Sequence, residues 1–321
     1  MPLITTDFTA SFPFTNKHFS TLYRTLFTNP KVQFTRKRIA TDDADFLDLD
    51  FSCVHSNKIA LLIHGLEGSS TSKYVLATTK YLNSKNIDVV VVNLRGCSGE
   101  LNRYYKSYHT GETGDLDCVI RYLTKQYTYE EMALIGFSLG GNVVLKYAGE
   151  QGKKMHTLVK KVISISPPCD LKGSSIQLSK KSNYIYMKRF LKTLVKKVTE
   201  KGKLFPEQNL NLKQLLSARN FKDFDAIYTA PSFGFKDAED YWEKASSKAY
   251  LEHIEIPTYL LTAKNDPFLS ASCFPIEEAK KNPNLHLELT NYGGHIGFIK
   301  SFKSKDKFWF EKKISDFLIE N

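Results

Sequence analysis

Short, almost unbroken apolar runs recur along the chain and alternate with segments of helical spacing. The runs cover residues 59–63, 88–94, 132–137, 159–165, 258–263 and 285–290. Strands this apolar are typical of a parallel sheet covered by helices on both faces. Close to the end of the chain, Phe310, Ile314, Phe317 and Leu318 have helical spacing, which predicts a helix packed on that sheet. The pattern therefore predicts the α/β fold class.

The alternation stops over residues 168–253, which carry several helical patterns and no clear strand. We expect this stretch to be a helical cap inserted into a core made of residues 1–167 and 254–321. Its best-defined helix has Met187, Leu191, Leu194, Val195 and Val198 on one face and Lys188, Arg189, Lys192, Lys196 and Lys197 on the other. Caps line pockets, so the candidate substrate-binding residues are Tyr184, Tyr186, Met187 and Phe190. An amphipathic helix that simply packs on the core explains the pattern equally well.

Composition narrows the range of partners. The chain has 321 residues, of which 42% are hydrophobic, and a formal net charge of +11. Such a charge is compatible with a nucleic acid or an anionic membrane surface. The lysines are scattered, however, and no zinc-finger, RNP or phosphate-binding glycine pattern accompanies them, so we expect no nucleic-acid partner. The cap helix over residues 187–198 combines basic and apolar faces and is a candidate for peripheral contact with an anionic membrane, unless its basic face is merely solvated.

Cysteine use and the absence of targeting patterns bear on location. The five cysteines are odd in number and widely spaced, which favours reduced thiols and a cytoplasmic protein. Residues 1–14 lack a basic segment followed by an apolar one, and no run of about twenty apolar residues occurs, so neither secretion nor membrane spanning is expected. The sequence contains no tight cluster of histidine and cysteine, so no metal site is expected. The oligomeric state is not predicted.

The segment Gly136-Phe137-Ser138-Leu139-Gly140 lies directly after one apolar run and opens a helical stretch. A serine on so sharp a turn between strand and helix exposes its hydroxyl, and glycines on both sides relieve the crowding. This G-x-S-x-G pattern also occurs by chance, but the strand before it and the helix after it favour catalysis. Ser138 is therefore the candidate nucleophile.

A serine nucleophile needs a base, and His295 is the candidate. Gly293-Gly294-His295-Ile296-Gly297 follows the last apolar run, and its small residues leave the imidazole free to enter a cleft. A flexible glycine loop is the alternative interpretation. His64 precedes the serine and is expected to anchor a loop, and a structural role is also favoured for His109.

Asp266 is the candidate third member of a catalytic triad. It follows the run at 258–263, and Pro267 after it favours an extended conformation at the carboxyl end of that strand. An ordinary turn is the alternative interpretation of this segment. The order Ser138, Asp266, His295 is nonetheless the order of an α/β-hydrolase.

An oxyanion hole is expected beside the serine. In this fold it takes one backbone N–H from the residue after the nucleophile and one from the loop after an earlier strand. The loop His64-Gly65-Leu66-Glu67-Gly68 follows the run at 59–63. The candidate donors are therefore the N–H groups of Leu66 and Leu139.

Together these segments give a family resemblance over nearly the whole chain. Further segments that carry it are residues 16–21, 93–100 and 108–113. The chain resembles the YheT-like branch of the α/β-hydrolases, related to ABHD-type lipid hydrolases and yeast ethyl-ester synthases. The resemblance implies that the triad falls on Ser138, Asp266 and His295. The membrane anchor that precedes the ABHD-type domains has no counterpart here, so membrane localisation is not expected to transfer.

The sequence predicts a serine hydrolase that cleaves carboxylic esters, with short to medium acyl chains or lipid-like substrates, through an acyl-enzyme. Such an enzyme needs no cofactor. Two alternatives stay open: an acyltransferase that passes the acyl group to an alcohol, and a non-catalytic protein that uses the fold to contact a lipid surface or a partner.

Overall fold

A nine-stranded sheet runs through the centre of the protein, in a computed structural model that describes residues 2–303 and 307–319. Its strands are β1 (Leu3–Ile4), β2 (Thr35–Ala40), β3 (Phe46–Ser52), β4 (Lys58–Ile63), β5 (Asp88–Asn93), β6 (Glu131–Phe137), β7 (Val159–Ile165), β8 (Thr258–Ala263) and β9 (Leu285–Thr290). Their spatial order is β1-β9-β8-β7-β6-β4-β5-β3-β2. The nucleophile loop follows β6, which lies at the centre of this order.

Helices connect the strands and cover the sheet. They are α1 (Lys17–Phe27), α2 (Lys73–Asn83), α3 (Gly114–Gln126), α4 (Leu139–Gln151), α5 (Leu171–Leu178), α6 (Tyr184–Leu204), α7 (Leu212–Ser217), α8 (Phe221–Phe224), α9 (Ala230–Phe233), α10 (Ala238–Ala245), α11 (Ile276–Lys281) and α12 (Trp309–Ile319). A single π-helical turn over residues 225–229 joins α8 to α9. No described helix is both long enough and apolar enough to cross a bilayer.

The predicted α/β architecture is confirmed. The six predicted strands are β4 to β9, and neighbouring strands among them pair in parallel. On one face the sheet packs against α3 and α4, and on the other against α2 and α12. Phe310 and Ile314 of α12 are fully buried, as their spacing predicted. Burial of each such side chain stabilises the fold by about 1.5–3 kcal/mol.

Strands β1, β2 and β3 were not predicted. β2 and β3 form an antiparallel ribbon, and β3 also runs antiparallel to β5. The ribbon is charged: Arg36 and Arg38 of β2 form ion pairs at 2.7 Å with Asp50 and Asp48, their direct cross-strand partners on β3. Along β3 the aspartates alternate with leucine and phenylalanine, so this strand lacks the continuous apolar run from which the other strands were predicted.

The interval between β7 and β8 contains α5 to α10 and no strand, and all of its residues are described. This helical insertion has its own apolar core, to which Leu191, Leu194 and Val198 of α6 contribute together with Phe268 from the loop after β8. The outer face of α6 exposes the basic side chains at positions 188, 189, 192 and 196. Lys197 departs from the expectation: it turns inward, and its side chain is only 12% exposed.

Candidate active site

Ser138 lies on the tight turn between β6 and α4. Its backbone adopts φ 52° and ψ −117°, a conformation that a residue with a side chain rarely takes, and its N–H is held by the Ile165 carbonyl at 2.9 Å. A Cβ atom at position 136 would approach the Gly140 carbonyl oxygen to 2.1 Å, and one at position 140 would approach the Ile63 oxygen to 2.3 Å. Only glycine fits at these two positions, which explains the motif around the serine.

Asp266 and His295 form a hydrogen-bonded pair. His295 Nδ1 lies 2.8 Å from Asp266 Oδ2, and Asp266 Oδ1 accepts the N–H of Phe268 at 2.8 Å. Asp266 is 3% exposed, and the Phe268 ring lies 4.3 Å from the imidazole, measured between centroids. An ionised carboxylate accepts hydrogen bonds but cannot donate them, so the Nδ1 proton stays on the imidazole and Nε2 is left free to accept one.

Helix α1 holds the histidine loop in place. The Thr21 hydroxyl accepts the N–H of His295 at 2.9 Å, and the Ser20 hydroxyl donates to the Gly293 carbonyl at 2.8 Å. Arg24, which also forms a buried ion pair with Glu311 at 2.7 Å, donates through Nε to the Gly297 carbonyl. In the sequence, residues 16–21 stand out only through the family resemblance. Their role is to fix the backbone that carries the imidazole.

One cavity lies between the carboxyl edge of the sheet and the insertion. Ser138 and His295 both line it, together with Leu66 and Leu139. The centre of a water-sized sphere can occupy about 120 Å³ of this cavity. One buried water needs about 10–15 Å³ on this scale, so the space suits a small group or a short to medium chain.

The four candidate substrate-binding residues lie in different places. Phe190 lines the cavity, whereas Tyr184 is 62% exposed. Tyr186 is buried beside Phe268, and its hydroxyl lies 3.2 Å from His18 Nδ1. Met187 is buried in the core of the insertion. One face of α6 reaches the cavity, and it is formed by Phe190, Leu194, Lys197 and Val198.

The structure brings the candidate oxyanion donors to the same place. Leu66 lies on the turn after β4, which is closed by a 2.9 Å hydrogen bond from the Gly68 N–H to the Gly65 carbonyl. Leu139 is the first residue of α4. Among the described residues, neither N–H has a hydrogen-bond acceptor. Both N–H groups are thus available to an external oxygen atom, and the positive end of the α4 dipole adds to their effect.

His64 anchors the Leu66 turn. Its imidazole is fully buried, with Nδ1 2.7 Å from the Gly65 carbonyl and Nε2 accepting the N–H of Leu94 at 3.1 Å. Burial lowers the pKa of His64 to about 4, so the ring is neutral at pH 7. The structure thus places His64 where a loop anchor was expected.

His109 also reaches the cavity, packed against the rings of Phe233, Phe235 and Tyr241. Nδ1 accepts the Gly111 N–H at 3.1 Å, and Nε2 lies 3.4 Å from a Glu112 carboxylate oxygen. Burial, and to a smaller degree the charges of Lys146 and Lys106, lower the pKa of His109 to about 3. The folded protein therefore keeps this imidazole neutral.

A pH-dependent loss of stability follows from His109. Below pH 6.5 the unfolded chain binds a proton at this position that the folded protein does not bind, so stability falls as the pH is lowered towards 3. Between pH 6 and 5, the free energy of unfolding should depend less steeply on pH in His109→Gln than in the wild type. The two slopes should differ by about 1.4 kcal/mol per pH unit. Urea denaturation at several pH values measures this slope.

The exposed His55 supplies the control for that measurement, since His55→Gln should keep the wild-type slope. Asp225 titrates in the opposite direction, because burial raises its pKa to about 6, but it is present in all three proteins and cancels from the comparison. An unchanged slope in His109→Gln would show that His109 is already protonated in the folded state.

Comparison with known proteins places this geometry in a family. The family described as alpha/beta hydrolase fold matches residues 60–302. The chain belongs to the α/β-hydrolase family. Within it, the chain is 33% identical over 313 residues to the Escherichia coli (strain K12) protein YheT, whose name assigns it to the esterases, covering 95% of this chain and 91% of YheT. This similarity confirms the expected YheT-like branch.

Further α/β-hydrolase relatives carry lipid-related names. Human phospholipase ABHD3 is 28% identical to this chain, and the aligned region covers 93% of this chain and 75% of ABHD3. The monoacylglycerol lipase of Saccharomyces cerevisiae is 29% identical, with 80% of this chain and 58% of the relative covered. Among solved structures, the Pyrococcus furiosus esterase Pf2001 superposes with a TM-score of 0.60 at 16% identity, covering 91% of this chain and 94% of that one. The phospholipase and the monoacylglycerol lipase support an esterase- or lipase-type hydrolase, and the match to Pf2001 supports the fold.

Proposed function

We propose that this α/β-hydrolase cleaves carboxylic esters through an acyl-enzyme formed on Ser138. The Ser138 hydroxyl attacks the ester carbonyl carbon while His295 Nε2 takes its proton. The N–H groups of Leu66 and Leu139 hold the negative oxygen of the tetrahedral intermediate, and each such donor is worth about 3–4 kcal/mol in comparable enzymes. His295 returns the proton to the alcohol as it leaves. A water molecule, activated in the same way, then releases the carboxylic acid and restores Ser138.

The pairing of His295 with Asp266 is the observation that carries this proposal. The 2.8 Å hydrogen bond at Nδ1 sets the tautomer in which Nε2 is a proton acceptor, and His295 and Ser138 line one cavity. A histidine in an ordinary packing role needs neither a buried carboxylate partner nor a place in the wall of the cavity that a strained serine also lines. The arrangement therefore supports a nucleophile, a base and an orienting acid.

The cavity wall favours an apolar acyl group. Apolar and aromatic side chains make up most of it, and its charged groups have partners. Glu67 pairs with Lys197 at 2.6 Å, and the Asp225 carboxylate accepts hydrogen bonds from Thr229 and from the Trp242 indole. With these charges satisfied internally, binding relies on apolar contact. Relatives named phospholipase and monoacylglycerol lipase agree with a lipid-like ester.

A panel of p-nitrophenyl esters of increasing chain length tests both reaction and pocket. We expect wild-type hydrolysis to be fastest at short to medium chain length. Leu194→Trp adds an indole to the cavity wall and should lower kcat/KM for the longer esters about tenfold or more, while the acetate ester loses less than threefold. One or two methylene groups in an apolar pocket are worth this much.

Ile185→Trp serves as the matched control, because Ile185 lies on the same helix and is 78% exposed, and it should leave the chain-length profile unchanged. Equal losses for acetate and long esters in Leu194→Trp would contradict the assignment of this wall to the acyl chain. Addition of an alcohol to the assay separates hydrolysis from acyl transfer: the proposal expects free acid as the main product, and the acyltransferase alternative expects new ester.

We further propose that the insertion, over residues 168–253, acts as a cap that meets anionic membranes from the cytoplasmic side. Ile176, Tyr184 and Ile185 are exposed on α5 and the start of α6, next to the exposed basic residues of α6. Apolar and cationic groups side by side suit an anionic lipid surface. A cytoplasmic location is supported by the five cysteines, all of which are free.

Vesicle sedimentation tests the membrane contact. The protein should bind vesicles with 30% phosphatidylserine several-fold better than pure phosphatidylcholine vesicles, and Ile185→Glu should reduce that binding at least threefold. Ile319→Glu, at a 61% exposed position on α12, is the control and should bind as wild type does. Equal binding to both vesicle types, or an equal effect of the two substitutions, would contradict the proposal.

A further inference from the structure

The turn that carries Leu66 contains a strained residue with an unusual set of partners. Glu67 follows Leu66 directly and adopts φ 53°, a left-handed conformation that glycine or asparagine normally supplies. Its side chain is 11% exposed. A strained, largely buried acidic residue beside a candidate oxyanion donor persists only if its surroundings hold it there.

Tyr108 supplies part of that support from the core. Its buried hydroxyl accepts the N–H of Glu67 at 3.0 Å and donates to Glu67 Oε1 at 2.8 Å, so one group fixes both the backbone and the side chain of Glu67. The Tyr108 hydroxyl has a single proton, which it already donates to Glu67 Oε1. The negative charge of Glu67 therefore needs a cation from another part of the protein.

Lys197 supplies the charge from the insertion. Its ammonium group lies 2.6 Å from Glu67 Oε1 and 3.4 Å from Cys97 Sγ. Burial alone would lower the pKa of Lys197, but the opposing effects of Cys97 and Glu67 leave it raised, so the ammonium is charged at pH 7. Removing one partner of such a pair leaves the other as an uncompensated charge, which is far more disruptive than losing a surface pair.

A second lysine fixes the same part of α6. Lys201 lies one helical turn beyond Lys197, is fully buried, and donates to the carbonyl oxygens of Asn102, at 2.6 Å, and Tyr104. Both lysines thus connect the insertion to core loops at the sheet edge. Of the two, only Lys197 contacts the turn that carries the oxyanion donor.

We propose that Lys197 is a positioning residue for ester hydrolysis. By pairing with Glu67 it holds the strained turn in the conformation that points the Leu66 N–H into the cavity, so the oxyanion hole is complete only while α6 is docked. This inference rests on the proposed function. It predicts that Lys197 affects the rate of the chemical steps and has little effect on substrate binding.

Lys197→Met tests the inference, since it keeps the aliphatic stem and removes the charge. With a p-nitrophenyl ester, kcat should fall about 10- to 100-fold and KM should change less than threefold. Lys197→Arg should recover part of the lost kcat. Lys196→Met is the matched control, because Lys196 is the neighbouring lysine with a 78% exposed side chain, and it should match wild type in both parameters.

A double substitution separates positioning from general loss of packing. In Lys197→Met/Glu67→Gln no uncompensated charge remains, and the glutamine amide oxygen can still accept a hydrogen bond from the Tyr108 hydroxyl. Its kcat should equal or exceed that of Lys197→Met alone, whereas independent effects would multiply. Glu67→Gln by itself should lower kcat with little effect on KM, which keeps the test open if Lys197→Met fails to fold.

The outcomes distinguish this inference from the function on which it rests. An active wild-type enzyme whose kcat is unchanged in Lys197→Met, or in which KM alone rises, would overturn the role of Lys197 and leave the hydrolase assignment intact. A folded wild-type protein that cleaves no ester in the panel would overturn the proposed function itself.

Discussion

Replacement of Ser138 by alanine is expected to abolish ester hydrolysis while leaving the fold intact. The hydroxyl is the atom that becomes acylated, and the oxyanion donors and His295 cannot replace it. In serine hydrolases, removing the nucleophile lowers kcat by roughly 10⁴-fold or more. Alanine has a Cβ like serine and meets the same backbone strain at φ 52°, so the thermal midpoint should change little. Rates with a p-nitrophenyl ester, together with thermal denaturation, measure both effects.

Ser175→Ala is the control for this prediction. Ser175 is a buried serine that lines the same cavity from α5. Its loss should change kcat less than threefold. A Ser138→Ala protein that keeps more than a few per cent of wild-type activity would contradict the acyl-enzyme mechanism.

Asp266→Asn is expected to have the second-largest effect, because it changes the histidine tautomer. Asp266 Oδ1 accepts the Phe268 N–H and Oδ2 faces His295 Nδ1. In asparagine the amide oxygen must keep the Phe268 N–H, so the NH₂ group turns to Nδ1 and makes that nitrogen an acceptor. The imidazole proton then moves to Nε2, which can no longer take the Ser138 proton. We expect kcat to fall about 10³- to 10⁴-fold.

The measurement is kcat at pH 7.5 for Asp266→Asn beside Asp170→Asn. Asp170 caps α5 by accepting the Gly173 N–H, and asparagine caps helices equally well, so this control should retain wild-type activity. Similar kcat values for wild type and Asp266→Asn would show that Asp266 only packs against the histidine loop.

The sequence was most informative where one steric requirement admits one residue type. Gly136 and Gly140 could be interpreted because the serine turn has no room for a Cβ atom, and the apolar runs because a doubly covered sheet excludes polar side chains. Pro267 likewise indicated that Asp266 lies on a loop. From these local rules the sequence predicted the six parallel strands, and the same rules predicted that the three candidate triad residues lie at one edge of the sheet.

Local rules could not reach contacts between distant segments. The support of the histidine loop by Ser20, Thr21 and Arg24 joins residues more than 270 positions apart. The pairing of Lys197 with Glu67 spans 130 positions, and helical periodicity assigned that lysine to the solvent face. The β2–β3 ribbon was missed for a different reason: its aspartates leave β3 without the continuous apolar run from which the other strands were predicted.

The placement of the cavity wall shows a further limit. Tyr184 and Tyr186 precede Phe190 on one helix and share its aromatic character, yet only Phe190 lines the cavity. Which face of α6 does so depends on how the helix is rotated against the core, and Lys197 and Lys201 fix that rotation from the far end of α6. Composition near a pocket predicts candidates, whereas the docking contacts select among them.

Labelling with a fluorophosphonate, followed by peptide mass mapping, tests most directly whether Ser138 is an activated nucleophile. We expect one covalent adduct per chain, located on the peptide that contains Ser138, with loss of ester hydrolysis in proportion to labelling. A folded, ester-hydrolysing protein that leaves Ser138 unlabelled, or that carries the adduct on another residue, would contradict this expectation.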